Sequence, residues 1–462
     1  MMTPKKLQML RAFLGKLPEP VAAQLARAIE AERLAGGHAL PHDAILDGLR
    51  TALRRARRAK RRSPLRLFCL PFEDLLNSRP RTQKQKGRIA RASVSRVWKW
   101  LAHTLLAERT AQYAAAVKRA LLENKQDAAD EAALSYWAYA AKAIRAALSD
   151  EKQAAATRKA LGDEATQADA VEMALMLSAG GEIAAFQDEA PRPIEAMTDD
   201  MLWTFRGLYD RLVQTVPDAA PYVAIIAMNR LERPWEALRL PLMISRQTQE
   251  TMISSTDMGL VGEILFSDME MHANAIRAVR HPVFDPDDLV HHGHRFAVLS
   301  NGLVKEVGIR RDGKWGQRLL TDRAAIAEVM EGLMDHAPRE ILGLFHLHKA
   351  NFGKGARVPD LSRAIDAEKL DRAMRYARLL QGCKSFAVAG AFGAALQTAC
   401  DRVSAELALY DDALVAELRA AEGEKRQRVE AYFQAAADLT ALVLSEKDAE
   451  IMRRRGRAAL AA

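Results

Sequence analysis

Cysteine is scarce in this chain of 462 residues. The three cysteines, Cys69, Cys383 and Cys400, are odd in number, lie far apart and form no CxxC pair. This pattern excludes a disulfide framework of the kind found in small secreted proteins, and it favours a reducing compartment. We therefore expect a cytoplasmic location.

Long apolar runs are also absent. The most apolar stretch, FAVAGAFGAAL at 386–396, is too short to cross a bilayer, so no transmembrane segment is predicted. Near the N-terminus, Gln8 and Arg11 interrupt the apolar core that a signal peptide requires. The alternative of a mitochondrial-type presequence stays open, because no acidic residue precedes Glu19. The favoured interpretation is an amphipathic helix whose apolar face consists of Leu7, Leu10, Leu14 and Leu17.

Recognised catalytic motifs are missing. The chain contains no GxSxG, no HExxH and no glycine-rich dinucleotide turn. The stretch FGKGARVP at 352–359 superficially looks like a phosphate loop, but it lacks the required spacing and follows no convincing strand. We interpret it as a surface loop. No cofactor is predicted, and a non-enzymatic protein is the favoured interpretation.

Acidic residues are nearly absent from one segment. Between Arg50 and Lys99 there are 17 Lys or Arg but only two acids, Glu73 and Asp74, which gives a net charge of +15. Because the whole chain carries +9, the remainder carries −6. The protein is thus an acidic body with one strongly basic segment, a distribution that calls for an anionic partner.

The remaining pattern is helical. With 49% hydrophobic residues, the composition is that of an ordinary globular protein. Apolar residues recur at three- and four-residue steps along most of the chain, which predicts an all-α fold with a multi-helix solenoid-like or bundle body. We divide it into an N-terminal helical region at 1–107 with the basic segment 50–99, a helical body at 108–360 and a C-terminal region at 361–462. A small β element is allowed only near 304–318, where Asp312 and Gly313 could form a hairpin turn, although a helix stop is favoured.

The C-terminal region has the clearest periodicity. Its two stripes, separated by Gly423, predict an antiparallel helical hairpin, with a dimeric coiled coil as the alternative. The first stripe is Phe386, Ala389, Gly393, Leu396, Cys400, Val403, Leu407, Tyr410 and Leu414, and the second is Val429, Tyr432, Ala436, Leu439 and Val443.

The run RRARRAKRR at 54–62 holds more cations than a helix end explains. Cations at a helix C-terminus gain about 0.3–1 kcal/mol each over roughly one turn, which accounts for two or three of the seven. A second cluster follows, with tryptophans among its cations, as in nucleic-acid-binding surfaces. The candidate polyanion-binding residues are Arg54, Arg55, Arg57, Arg58, Lys60, Arg61, Arg62, Arg79, Arg81, Lys84, Lys86, Arg88, Arg91, Arg96, Trp98, Lys99 and Trp100.

Other interpretations of this region accompany the polyanion-binding one. An anionic membrane surface fits the cations almost as well as nucleic acid. An acidic protein partner, including the protein's own body, and a plain solvated surface also stay open. A helix-turn-helix at 87–102 is disfavoured because no suitable helix precedes it. The segment LPFEDLL at 70–76 could dock into a partner's groove, but a connector buried in the protein's own core is favoured.

Histidines suggest a second class of function. His281, His291, His294, His346 and His348 could build a metal site if their two regions met, but their spacing matches no standard ligand pattern. His292 falls on the apolar stripe of a helix that Asp285 is predicted to cap, so a core or capping role is favoured for these histidines.

The leading functional expectation is a non-enzymatic adaptor that binds a polyanion through 50–99, with nucleic acid ahead of a membrane surface. A metal-assisted enzyme using the histidines of 281–294 and 346–348 is one alternative. A scaffold that oligomerises through 384–462 is the other.

Overall fold

The computed structural model describes residues 10, 13–14, 17, 19–34, 42, 45–46, 49, 62–78, 84–152, 154–190, 192–246, 256–349 and 357–461. The described chain is all-α with two very short sheets, which confirms the predicted fold class. Its contacts separate two compact units. Unit 1 holds the described residues up to Glu73 together with Ala92–Gly180, and unit 2 holds Asp74–Arg91 and Gly181–Ala462. This division runs at Gly180, whereas the regions drawn from the sequence end at 107 and 360.

The helices of unit 1 are short to medium in length, and a π-helical turn at Leu101–Leu105 extends the third of them. They are α1 (Glu19–Leu34), α2 (Pro64–Cys69), α3 (Arg91–Trp100), α4 (Ala107–Leu122), α5 (Gln126–Ser149), α6 (Ala154–Leu161) and α7 (Glu164–Ser178).

Besides Asp74–Arg91, unit 2 contains the helices from α8 to the C-terminal helices. Its α-helices are α8 (Gly180–Glu189), α9 (Asp199–Thr215), α10 (Val223–Arg230), α11 (Arg239–Ser245), α12 (Leu260–Arg277), α13 (Pro286–Glu306), α14 (Lys314–Leu342), α15 (Ala367–Cys383), α16 (Gly393–Ala420), α17 (Gly423–Val443) and α18 (Glu446–Ala461). Single 3₁₀ turns lie at Pro217–Tyr222, Pro234–Leu238 and Asp257–Gly259 in unit 2, and at Leu70–Leu75, where the chain passes from unit 1 to unit 2.

Unit 1 has an aromatic core. Phe68 packs edge-on against Phe72, with ring centroids 5.5 Å apart, and lies tilted against Trp98, with ring centroids 5.2 Å apart. Tyr113 and Tyr136 stack at 4.2 Å with nearly parallel rings. The hydroxyl groups of both tyrosines are hydrogen-bonded. The Tyr113 hydroxyl donates to the Pro64 carbonyl, and the Tyr136 hydroxyl pairs with the Thr110 hydroxyl. A separate small cluster of Leu14, Ala22 and Leu49 buries the apolar face of α1.

From α12 to α18, helices pack mainly on the next helix or the next but one. α12 contacts α13 and α14, α14 contacts α15 and α16, and α16 contacts α17 and α18. Such one-dimensional stacking is typical of solenoids, although the helices here differ in length from 16 to 29 residues. The capping that starts α13 is the predicted one, because the Asp285 side chain accepts from the backbone N–H groups of Asp287 and Asp288.

The C-terminal hairpin is present as α16 and α17, joined by two residues. Its first helix begins at Gly393 and not near Phe386, because 384–391 form consecutive turns with Ala391 at φ 62°. A third helix, α18, packs on both, and its Arg455 pairs with Asp411 and Asp412. The apolar stripe of the hairpin is buried inside the chain, since Val403, Leu407 and Leu414 have at most 2% exposure. In this fold the stripe is therefore not an open surface for dimerisation.

The strands lie outside 304–318. β1 (Leu76–Asn77) pairs in parallel with β2 (Ile89–Ala90), and β3 (Leu347–Lys349) pairs antiparallel with β4 (Arg357–Pro359). Asp312 and Gly313 instead form the turn before α14, where Gly313 is the N-cap. Within the described ranges, no helix is both long enough and apolar enough to span a membrane.

Candidate polyanion-binding surface

The structure describes about half of the predicted polyanion-binding residues. Arg62, Lys84, Lys86, Arg88, Arg91, Arg96, Trp98, Lys99 and Trp100 are described. Arg54, Arg55, Arg57, Arg58, Lys60, Arg61, Arg79 and Arg81 lie outside the described residues.

Arg96 lies on the solvent face of α3 and binds a capping carboxylate. Its Nη1 is 2.7 Å from Oδ2 of Asp163, the N-cap of α7. The backbone N–H of Thr166 donates to Asp163 and lowers the pKa of its carboxyl, and Arg96 lowers that pKa further. Because Thr166 already holds the carboxylate, the cap does not depend on Arg96. The pair is also half exposed, at 52% and 56% of the two side chains.

Arg62 and Lys86 form two further exposed ion pairs. Arg62 lies 2.8 Å from Asp130, and Lys86 lies 3.1 Å from Asp257. Exposed pairs of this kind contribute about 0–1 kcal/mol, because water screens the charges and two long side chains lose freedom. A polyphosphate with many charges competes well against such single carboxylates.

Arg88 and Lys84 have a structural role in unit 2. Arg88 forms a two-pronged salt bridge to Asp268 with distances of 2.6 and 2.8 Å, and both side chains are mostly buried, with exposures of 15% and 17%. The Lys84 ammonium donates to the carbonyls of Gln85 and Arg88. These contacts hold the turn before β2, so we do not count the two cations as available to a ligand.

Arg91 and Lys99 are exposed on α3. Neither forms an ion pair with any side chain in the part of the chain that the structure describes. The local sequence explains this, because no acidic residue occurs between Leu75 and Ala107. Together with Arg96, they give α3 a solvent face with three exposed cations and no acidic side chain of its own.

Trp98 and Trp100 belong to the core. Trp98 packs against Phe68, Tyr113 and Tyr136, with ring centroids 5.2–6.4 Å apart, and Trp100 is only 5% exposed. Trp98 is partly buried among these rings and Trp100 is buried, so neither ring stands apart from the core for stacking on a base. The sequence carried the relevant signal for Trp98, which lies on the apolar face of α3 with Val94, Val97 and Leu101.

The segment LPFEDLL is a buried connector within the chain. Phe72 has no exposed surface and Leu75 has 1%. The apolar side chains that a partner's groove would need are thus already covered, as the favoured interpretation of this segment required.

The histidines do not form a ligand cluster among the described residues, where no group of three or more His, Cys, Asp or Glu side chains is arranged to hold a metal ion. The Nδ1 atom of His292 lies 2.8 Å from that of His272. His281 stacks on His336 at 4.2 Å, and His348 lies on β3. His291 packs near His292 at 5.6 Å, His294 is exposed on α13, and the His346 carbonyl accepts from Asp360 next to β3.

The carboxylates that pair with the candidate cations were not identified from the sequence. Asp163 lies 67 residues from Arg96, Asp130 lies 68 from Arg62, and Asp268 lies 180 from Arg88. No local spacing connects residues so far apart, so only the folded chain shows these pairs.

No protein-family model, curated protein or solved structure matches this chain.

Proposed function

We propose that the protein is a non-enzymatic binding protein that engages nucleic acid through the basic segment 50–99. The observation that carries this proposal is the solvent face of α3, where Arg91, Arg96 and Lys99 are exposed in a stretch without acidic residues. The arginine run at 54–61 adds cations to the same segment of the chain.

The binding is electrostatic. Since Trp98 and Trp100 are packed in the core of unit 1, phosphate contacts and not base stacking provide the affinity. Such contacts release condensed counterions, so affinity falls steeply with salt. Phosphate contacts carry no information about the base sequence. We therefore expect the protein to bind both duplex and single-stranded nucleic acid.

The test is fluorescence anisotropy with a labelled DNA duplex and a labelled single-stranded RNA, both at low salt. Arg96→Gln with Lys99→Gln removes two exposed cations and keeps the fold. For a duplex we expect binding to weaken about tenfold, and the slope of log K against log salt to fall by about 2 in magnitude. A second variant, Arg55→Gln with Arg58→Gln, tests the arginine run in the same way.

The matched control is Arg454→Gln with Arg457→Gln on α18, which removes two exposed cations outside the basic segment, both of which pair with Glu450. It should bind like the wild type. Undetectable binding of both nucleic acids would refute the proposal, and so would an equal loss in test and control variants. Binding to phosphatidylserine vesicles alone would assign the surface to a membrane.

A further inference from the structure

A cavity of about 470 Å³ lies in unit 2, and no candidate polyanion-binding residue lines it. It is formed by the C-terminal end of α12, the turn at 278–283 and the middle of α14. Its volume is within the range of pockets that hold small molecules. The lining includes two arginines, two histidines and one glutamate around an apolar patch of Val279, Ala325, Val329 and Leu333.

Both arginines are held in place by the protein. Arg277 Nη1 donates to the Asn274 side chain at 3.0 Å, and its Nη2 lies 3.9 Å from Asp322. Arg280 Nη1 donates to the carbonyls of Arg277 and Val279, at 2.6 and 2.9 Å. Among the described residues nothing accepts from the other two nitrogens of Arg280. Its guanidinium is thus fixed in position and still has N–H donors for an anion, the geometry in which arginine binds phosphate and carboxylate.

Two imidazole rings lie beside these cations. The rings of His281 and His336 are 4.2 Å apart between centroids and inclined by 23°. The Nε2 atom of His281 lies 4.0 Å from a carboxylate oxygen of Glu340. The stacked pair and the apolar patch give the cavity a flat, partly apolar wall. Glu328 is the one carboxylate among the lining residues, and Asp322 and Glu340 lie within 4 Å of Arg277 and His281, respectively.

Gly332, in the middle of α14, lines the cavity and has no side chain to fill it. A Cβ atom there would meet nothing within 4 Å. At some other helical glycines it would meet an aromatic ring, such as Trp315 at Gly262 and Trp235 at Gly302, so close packing explains those residues. Glycine inside a helix costs about 0.5–1 kcal/mol relative to alanine. Close packing does not explain why glycine occupies position 332 despite this cost in helix stability. We infer that the glycine keeps the cavity open, because a larger side chain would extend into it.

We propose that this cavity binds a small molecule that carries a phosphate or carboxylate group on a flat or apolar body. Arg280 and Arg277 bind the anionic group, and the body lies against the His281–His336 pair and the apolar patch. Glu328 adds one acceptor for a hydroxyl or amine of the ligand. This site is independent of the polyanion-binding surface.

The test is isothermal titration calorimetry of the full chain with phenyl phosphate and with benzoate, which separates the two anionic groups. Inorganic phosphate tests the contribution of the body. We expect saturable binding of at least one of the two aromatic anions. Arg280→Gln should weaken it at least tenfold, and Gly332→Leu should abolish it by filling the cavity, while circular dichroism shows an intact helical fold.

Arg454→Gln, an exposed cation on α18, is the control and should bind like the wild type. The absence of saturable binding for both aromatic anions at millimolar concentration would overturn the proposal. Binding that persists in both Arg280→Gln and Gly332→Leu would also overturn it, because the ligand would then occupy another place. Nucleic-acid affinity should be unchanged in these variants, so the two proposals can fail separately.

Discussion

At the scale of the residue, exposure decides what an ion pair contributes. Arg88 and Arg96 both bind an aspartate at under 3 Å, yet the Arg88–Asp268 pair is about 15% exposed and the Arg96–Asp163 pair is more than half exposed. Burial removes the screening by water and makes the loss of one partner expensive. The same chemical contact is therefore structural at Arg88 and replaceable at Arg96.

We expect Arg88→Gln to lower the free energy of unfolding by about 2 kcal/mol, because Asp268 loses its two-pronged charged partner in a mostly buried place. Arg96→Gln should lower it by about 0.5 kcal/mol or less. Urea denaturation followed by circular dichroism measures both. Equal losses in the two variants would contradict this assignment.

Burial also changes the pKa of Asp322 and its contribution to folding stability. It is 5% exposed on α14, and its Oδ2 atom has no hydrogen-bond partner among the described residues. The pKa of its carboxyl is raised to about 6, chiefly by burial and also by the nearby Glu270, while Arg277 and Arg318 offset part of the rise. Because the pKa in the unfolded chain is about 3.9, ionisation of Asp322 disfavours the folded state.

The sign of the pH effect follows. The loss of folding stability caused by ionised Asp322 is absent below about pH 4, grows between about pH 4 and 6, and is complete above that range. We expect Asp322→Asn to raise the free energy of unfolding relative to the wild type by about 1–2 kcal/mol at about pH 8, and to change it little at about pH 4. Urea denaturation of both proteins at the two pH values provides the measurement. A difference that is independent of pH would show that the carboxyl does not titrate as described.

At the scale of the element, two glycines on the packed helices α12 and α14 have different packing environments. On α12, a Cβ at Gly262 would lie 2.2 Å from the buried ring of Trp315, so glycine lets α12 and α14 approach closely. On α14, a Cβ at Gly332 would meet nothing within 4 Å. The residue is the same at both positions, and the packing around it differs.

We therefore expect the same substitution to have opposite signs. Gly262→Ala should destabilise the protein by about 1–3 kcal/mol, because the overpacked ring must move. Gly332→Ala should stabilise it by up to about 1 kcal/mol, because alanine is the better helix former. The two melting temperatures should move apart. If both variants moved in the same direction, the close approach of α12 and α14 would be in doubt.

At the scale of the whole molecule, unit 2 is discontinuous in sequence and depends on residues 74–91. Asp74 is buried and binds Arg230 at 2.9 Å and Arg192 at 3.2 Å. Arg230 itself is 6% exposed. Removing one partner of a buried pair costs about 3–5 kcal/mol, because the other charge stays buried without compensation.

A truncated chain consisting of 181–462 should accordingly be much less stable than the same residues in the full chain, although it contains all of α9 to α18. We expect a large loss of cooperative thermal unfolding and faster proteolysis at sites near Arg230. The substitution Asp74→Asn in the full chain isolates the ion pair and should lower stability in the same direction. A truncated chain that unfolds cooperatively at the full-chain temperature would refute the dependence.

The sequence predicted the helices well and their ends less well. Periodicity located the C-terminal hairpin, and the Asp285 cap located the start of α13. Periodicity did not place the start of α16 at Gly393, because apolar residues at helical spacing continue through the turns at 384–391. It did not indicate α18 either, whose sequence from Glu446 to Ala461 is mostly polar.

The sequence by itself determined the all-α class, the main helical stripes and the concentration of positive charge at 50–99, because each is a property of composition or of local spacing. The tertiary structure decided which of those cations are available, since their acidic partners lie 67 to 180 residues away. It also decided that Trp98 and Trp100 are core residues, and that Gly332 faces an open cavity lined by Arg277 and Arg280. Burial and ion pairing depend on contacts between distant parts of the chain, which no local pattern specifies.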